Sequence, residues 1–167
     1  DILKGIAVLS SNYFKTYNNT IIIMAGGKGE RMMPLTANKP KPLISYKGMS
    51  ILKNIILNAK KQGFVNFIIS INYLGNMIKK EFGNGSNLGI NIEYILEKKP
   101  LGTAGSLSLI NKSFSDPVIV TNADIITDIN YSSLLDFHNK KKSFTTVVLK
   151  NYSWQNLFPK QAKNELL

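Results

Sequence analysis

Cysteine is absent from the 167-residue chain, and histidine occurs only once. Without cysteine the chain has no disulfide framework and no thiolate metal site. The single histidine, His138, is a poor candidate for catalysis or metal binding. Tyr131, Leu134, Leu135 and His138 follow the i, i+3, i+4, i+7 spacing of a helix, so we interpret His138 as a residue on a helix face.

Long apolar runs and a signal-peptide pattern are also missing. No run approaches the roughly 18 residues that a helix needs to span a bilayer, and the N-terminus lacks a signal-peptide pattern. Hydrophobic residues make up 44% and charged residues 19% of the chain, as in soluble globular domains. We therefore expect one domain in the cytoplasm without membrane contact.

Arginine is nearly absent as well, because Arg31 is the only arginine among 21 basic residues. The net charge of the chain is +11. The lysines are scattered, and the pairs among them that lie at predicted helix ends complement the helix dipole. A nucleic-acid groove would combine arginine with interleaved aromatic residues on one face, and neither shows. We expect no nucleic-acid partner, and keep a polyanion-binding module as a lesser alternative. That module would show a steep salt dependence and indifference to Arg31→Ala.

The most informative stretch is residues 20–43, TIIIMAGGKGERMMPLTANKPKPL. Residues 21–24 are apolar and β-branched, which predicts a buried strand. Glycines after the strand let the backbone turn tightly and bring N–H groups close to a ligand. Basic side chains follow, and the one rigid guanidinium of the chain lies among them. The residues of this loop are Gly26, Gly27, Gly29, Arg31, Lys39 and Lys41. We interpret it as a phosphate-binding loop; the alternative is a glycine turn that merely links a strand to a helix.

The letters GGKGERMMPLT and PKPL resemble the signature GGxGxRxxPLT and PKPL of the sugar nucleotidyltransferases, of the mannose-1-phosphate guanylyltransferase-like kind. These enzymes of nucleotide-sugar biosynthesis join a nucleoside triphosphate to a sugar 1-phosphate. The dinucleotide pattern GxGxxG is absent, which argues against a nicotinamide or flavin fold. The resemblance implies an α/β fold, a three-layer Rossmann-like open sheet with its site at the carboxyl ends of the strands.

The resemblance also implies roles for residues of this loop. Ala25 and the three glycines would bind the nucleotide. Arg31 would hold the β- and γ-phosphates, and Lys41 would reach the α-phosphate and the attacking oxygen. Lys39 would add to the positive field or remain a solvated lysine.

A second stretch, residues 97–109 with the letters EKKPLGTAGSLSL, nearly matches the family pattern EPLGTAG. By that resemblance the loop holds the base of the nucleotide. Gly102 would contact the base edge, Thr103 would belong to the same site, and Glu97 would accept N–H groups. A carboxylate acceptor suits guanine, so GTP is slightly favoured. The alternative is an exposed ion pair of Glu97 with a neighbouring lysine.

Asp124 directly follows a strand that is predicted over residues 117–123. A carboxylate at that position of an α/β sheet lies where ligands bind. The family carries a Gly-Asp pair here whose aspartate holds Mg²⁺, and the resemblance implies this role for Asp124. This chain has Ala123 instead of the glycine, so an added methyl group is expected to crowd the nucleotide or to force a slightly different turn. Asp128 is a second ligand candidate, but a turn before the next helix explains it more simply.

Periodicity and capping residues predict the remaining elements. They are helices over residues 50–62, 73–82 and 131–138, a helix after Thr103, and strands over residues 64–71, 90–96 and 143–150.

The resemblance covers residues 20–155, the nucleotide half, and the acceptor-binding half is largely missing. Residues 1–19 are expected to be a linker or the tail of an upstream module, with a faint likeness to a CBS module. Residues 156–167 are a divergent tail. The chain opens on Asp1, so we expect it to be a piece of a longer protein. An inactive nucleotide-binding remnant is therefore the alternative to an active transferase. The sugar and the oligomeric state are not indicated.

Overall fold

Four apolar segments of the sequence pair into one parallel sheet in the computed structural model, which describes residues 15–27, 29, 32–99, 101–102 and 104–149. The strands are β1 Tyr17–Ala25, β2 Ser45–Tyr46, β3 Met49–Ser50, β4 Phe64–Ile71, β5 Asn91–Leu96 and β6 Ile119–Asn122. The helices are α1 Ile51–Lys61, α2 Gly75–Phe82 and α3 Tyr131–Lys141, with short 3-10 helices at Lys41–Leu43, Ser86–Leu88 and Gly105–Leu109. Strands β2 and β3 form a separate antiparallel pair.

The chain divides into two compact units, Asp1–Ser133 and Leu134–Leu167. The sheet belongs to the first unit. The tail predicted over residues 156–167 and most of the segment predicted over residues 1–19 lie outside the described residues. None of the helices in the described part of the chain has the length and apolar character needed to cross a bilayer.

The sheet order is β5-β4-β1-β6, with β1 parallel to both of its neighbours. Ile21, Ile22 and Ile23 of β1 are fully buried, as expected for a parallel strand covered on both faces. The chain runs from β1 to β4 and β5 on one side and then returns to β6 on the other. Ligands of open α/β sheets bind beyond the carboxyl ends of the strands at such a reversal. The predicted α/β class with a Rossmann-like open sheet is confirmed.

Helix α1 follows its sequence prediction closely. The Ser50 hydroxyl accepts a hydrogen bond from the amide of Lys53 at 3.4 Å and so caps the helix. The predicted apolar stripe is buried, and the helix gives way to Gly63, which has φ +95°. A side chain at Gly63 would place its Cβ 1.8 Å from the carbonyl oxygen of Lys15, so only glycine fits there.

Helix α2 begins at Gly75 rather than at residue 73. Leu74 has the left-handed φ of 52°, which interrupts helical backbone before that point. The helix predicted after Thr103 is wrong in type, because the chain forms only the 3-10 helix Gly105–Leu109. Thr103 itself lies outside the described residues.

The strand predicted over residues 143–150 is also wrong, since none of residues 143–149 is assigned to a strand. A strand needs a hydrogen-bonded neighbour, and sequence pattern alone does not supply one. Phe144 is fully exposed, with Leu149 exposed as well. Helix α3 runs past residue 138 to Lys141, and His138 Nδ1 lies 2.9 Å from the Thr146 hydroxyl.

Gln62, at the end of α1, caps the start of α3. Its Nε2 donates a hydrogen bond to the Ile129 carbonyl at 3.0 Å, and its Oε1 accepts one from the Tyr131 amide at 2.7 Å. We expect Gln62→Ala to lower the free energy of unfolding by about 1–2 kcal/mol, because it removes the cap and leaves part-buried backbone groups unpaired. Urea denaturation measures this loss. The exposed neighbouring variant Lys61→Ala is the control, and equal losses in both variants contradict the capping role.

Candidate functional site

The glycine loop begins where β1 ends, and its own side chains hold it in shape. The Thr36 hydroxyl donates a hydrogen bond to the Gly29 carbonyl at 2.8 Å, and Thr36 is fully buried. The Tyr73 hydroxyl donates another to the Ala37 carbonyl at 2.7 Å. Gly29 has φ +67°, and a Cβ there would lie 2.9 Å from Thr36 Cγ2. Gly29 is therefore required both by its backbone angle and by close packing.

The outer side of the loop is open. Gly27 is exposed, and a Cβ built on it would meet no other residue's heavy atom within 4 Å. Ala25, by contrast, is buried at the end of β1. The space for a ligand in this loop is therefore at Gly27, whereas Ala25 offers no exposed side chain.

Lys41 and Asp124 form an ion pair, with 2.7 Å between Lys41 Nζ and Asp124 Oδ2. Lys41 begins the short helix Lys41–Leu43, and a Cβ on Gly29 would lie 3.3 Å from Lys41 Cβ. Asp124 follows β6, where the Ala123 amide donates to the Met24 carbonyl of β1 at 3.0 Å. The loop after β1 and the carboxylate after β6 thus meet at the reversal of the sheet.

The energetic value of this pair is small. The two side chains are 29% and 40% exposed, and ion pairs of this exposure contribute only about 0–1 kcal/mol. Stability therefore does not explain why the two charges lie together. An ammonium and a carboxylate at the carboxyl edge of a parallel sheet are groups that bind phosphate oxygens and hard cations.

Glu97 lies beneath the glycine loop rather than at the surface beside Lys98 and Lys99. It is only 7% exposed, its amide extends the sheet by donating to the Ile71 carbonyl at 2.9 Å, and its Oε1 accepts a hydrogen bond from the Ser70 hydroxyl. A Cβ on Gly26 would lie 2.6 Å from Oε1. The carboxylate therefore packs directly against Gly26, and this replaces the exposed ion pair that was considered from the sequence.

The other candidates are placed as follows. Gly102 is exposed, has φ +80°, and a Cβ there would meet nothing within 4 Å, so its loop leaves open space. Ala123 is 2% exposed, so its methyl group is packed inside rather than projecting from the sheet edge. Asp128 and Lys39 are exposed. Arg31 and Thr103 lie outside the described residues.

Ser70 and Thr36 contact the site but are absent from the sequence-based candidates. Ser70 is a fully buried hydroxyl in the apolar strand β4, between Ile69 and Ile71. A hydroxyl residue between two isoleucines is a usable signal, because buried hydroxyls require a hydrogen-bond partner. The partner, Glu97, is 27 residues away, and no local pattern indicates it.

The single carboxylate of Asp124 suits a magnesium ion only when a bound ligand supplies further oxygen atoms. Among the described residues, no three histidine, aspartate or glutamate side chains gather where they would hold a metal ion. Mg²⁺ usually takes one or two carboxylates and completes its shell with water and substrate phosphates. One partly exposed carboxylate beside an open glycine loop fits that mode of binding.

A family model described as nucleotidyl transferase matches residues 20–157. The chain therefore belongs to the nucleotidyltransferase family, which its sheet and its glycine loop also indicate. It is 33% identical to the mannose-1-phosphate guanylyltransferase of Mycobacterium tuberculosis over 80% of this chain and 38% of that protein. It is 36% identical to the catalytic subunit beta of the Xenopus tropicalis enzyme of that name, over 77% and 37% respectively. The chain thus spans less than two fifths of the length of these relatives.

Solved structures support the same fold. The chain superposes on HddC from Yersinia pseudotuberculosis, complexed with GMP-PN, with a TM-score of 0.61 and 24% identity over 72% of this chain and 54% of that one. It superposes on a UDP-glucose pyrophosphorylase complexed with UDP-glucose with a TM-score of 0.56 and 17% identity, over 74% and 54%. GMP-PN and UDP-glucose carry different bases, so the shared fold does not by itself select a base.

Proposed function

We propose that this chain carries the nucleotide half of a site that transfers a nucleotidyl group from a nucleoside triphosphate to a sugar 1-phosphate. The products are a nucleoside-diphosphate sugar and pyrophosphate. One observation carries the proposal: Lys41 and Asp124 meet at 2.7 Å at the sheet edge, and Lys41 packs against Gly29 of the signature loop. Membership of the family supports the reaction class.

The chemistry requires positioning more than covalent help from the protein. An oxygen of the sugar phosphate attacks the α-phosphorus, a new P–O bond forms, and the bond from the α-phosphorus to the bridging oxygen breaks to release pyrophosphate. The attacking oxygen is already anionic at neutral pH, so no protein base has to remove a proton. Charge spreads over the phosphoryl oxygens, and nearby donors stabilise it.

The residues take distinct roles in this proposal. Amides around Gly27 and the guanidinium of Arg31 bind the leaving β- and γ-phosphates. Lys41 donates to the α-phosphate, where its ammonium neutralises developing charge. Asp124 would hold Mg²⁺, and the ion would neutralise phosphate charge. Binding of the metal nucleotide would then give each member of the Lys41–Asp124 pair a partner of opposite charge.

Guanine is the base that we propose, with Glu97 accepting its N–H groups and Gly102 lying against its edge. Guanine presents two adjacent donors on one edge, which a carboxylate accepts. The relatives named above are mannose-1-phosphate guanylyltransferases, which supports GTP and makes mannose 1-phosphate the first acceptor to test. The open space at Gly102 is compatible with a planar base.

A second candidate function is a nucleotide-binding remnant without turnover. The chain spans 38% of the length of the Mycobacterium tuberculosis relative, so nucleotide binding and turnover by these residues are measured separately. Such a remnant binds a triphosphate with Mg²⁺ but releases no pyrophosphate.

We expect this chain to release pyrophosphate from GTP when Mg²⁺ and mannose 1-phosphate are both present, and more slowly with ATP or UTP. Lys41→Ala is expected to lower that rate by about 10²–10³-fold, as for removal of a charge-stabilising donor, while exposed Lys39→Ala retains it within a few-fold. Binding without release indicates the remnant. Salt-sensitive binding of many polyanions that survives Arg31→Ala contradicts both functions.

A further inference from the structure

Ser70 has no role in the proposed reaction, yet it holds the carboxylate that packs against the signature loop. Its hydroxyl donates to Glu97 Oε1, and Ser70 is fully buried in β4. Hydrogen bonds to a charged acceptor are about twice as strong as those between neutral groups. Ser70 therefore fixes the orientation of Glu97, whose second acceptor atom is Oε2.

We infer that Ser70 is a positioning residue that sets base discrimination through Glu97; the inference depends on the proposed function. A carboxylate held at Oε1 presents Oε2 in one direction to the two adjacent donors of guanine. Adenine has an acceptor at the corresponding ring nitrogen, which a fixed carboxylate repels. Without the Ser70 hydroxyl, the carboxylate is free to rotate and to accept from other donors, so the preference for guanine falls.

Because Glu97 also contacts Gly26, its effect on base preference has to be distinguished from its effect on the affinity for all triphosphates. Because Glu97 Oε1 packs against Gly26, 2.6 Å from where a Cβ would lie, a displaced Glu97 carboxylate also meets the glycine loop. A residue that merely supports that loop alters the affinity for every triphosphate equally, because the phosphates are common to all of them. The ratio of dissociation constants between bases is therefore the quantity that a positioning role changes and a purely structural role does not.

The experiment measures dissociation constants of GTP, ATP and UTP with Mg²⁺ by calorimetry on the whole chain. Ser70→Ala is expected to reduce the preference for GTP over ATP by about 10-fold. This is the value of one hydrogen bond between guanine and the Glu97 carboxylate. Glu97→Gln is expected to reduce it at least as far. Ser70→Cys keeps the size but donates weakly, so it gives an intermediate ratio and replaces Ser70→Ala should that variant fail to fold.

The matched control is Ser50→Ala. Ser50 also donates to a glutamate, Glu81 at 2.8 Å, but outside the glycine loop. Its loss is expected to lower the melting temperature and leave the GTP to ATP ratio within about 2-fold.

Any of four outcomes overturns the inference. One is an equal loss of affinity for all triphosphates in Ser70→Ala, which assigns Ser70 to loop support alone. Another is a lost preference in Glu97→Gln with an unchanged preference in Ser70→Ala. A wild-type chain that binds no triphosphate overturns the proposed function and the inference with it, whereas selective wild-type binding retained in Ser70→Ala overturns the inference alone.

Discussion

Replacing Asp124 by asparagine is expected to lower Mg²⁺-dependent pyrophosphate release by about 10²–10³-fold. Asparagine keeps the shape and one oxygen of the side chain but loses the negative charge that attracts a hard cation. Without the metal, the charge of the triphosphate opposes the approach of an anionic sugar phosphate. The measurement is a coupled pyrophosphate assay at several Mg²⁺ concentrations, in which the variant should need far more metal.

The same substitution should hardly change stability. It breaks the ion pair with Lys41, but that pair is partly exposed and contributes at most about 1 kcal/mol. A large loss of activity with a nearly unchanged denaturation midpoint therefore points to the metal nucleotide and not to unfolding. If the chain binds GTP without turnover, the affinity of Asp124→Asn for GTP should depend less on Mg²⁺ than that of the wild type.

Asp128→Asn is the matched control for Asp124→Asn. Asp128 carries the same charge, lies a short distance along the chain from Asp124 and is exposed. It is expected to retain activity within a few-fold, since exposed charges are largely screened by salt. Equal losses in both variants would mean that the chain responds to net charge rather than to a ligand at Asp124.

Gly26→Ala is expected to weaken GTP binding by about 10²-fold, the order of effect that a displacement of about 1 Å produces in a positioned site. The new Cβ would lie 2.6 Å from Glu97 Oε1, so either the carboxylate or the loop has to move. The carboxylate is buried and bonded to Ser70, and its displacement gives up that hydrogen bond. We therefore also expect the free energy of unfolding of Gly26→Ala to fall by about 1–3 kcal/mol, as for an overpacked core.

Gly27→Ala tests whether the stability loss comes from the contact or from any methyl group in the loop. A Cβ on Gly27 meets nothing within 4 Å, so its free energy of unfolding should stay within about 0.5 kcal/mol of the wild-type value. Guanidinium denaturation of both variants gives the comparison. Comparable losses in the two variants would show that any methyl group in the loop lowers the stability, and would contradict a specific effect of the contact between Gly26 and Glu97.

Much of the fold follows from local pattern. The apolar run of residues 64–71 predicts β4 with its observed bounds, and the stripe with its Ser50 cap predicts α1. The periodicity of each segment is visible in the sequence, and β4 also finds its pairing partners in β1 and β5. The segment 143–150 has the same β-branched composition as a strand, but the described part of it pairs with nothing. Composition expresses a preference, whereas a strand also requires an available edge.

The candidate site divides in the same way. The motif letters indicate Lys41, Glu97 and Asp124 as functional residues, but not which of them meet. The contact between Lys41 and Asp124 joins residues 83 apart in the chain, and it exists because β1 and β6 are neighbours in the sheet.

The sequence by itself determined the family and predicted the phosphate-binding loop and the carboxylate at the strand end, since these are carried by short spacings and residue chemistry. The tertiary structure alone decided that Lys41 pairs with Asp124. It also decided that Glu97 is buried beneath Gly26 and accepts a hydrogen bond from Ser70. The physical reason is that strand order places distant residues side by side, and only their packed arrangement defines distance, burial and hydrogen-bond partner.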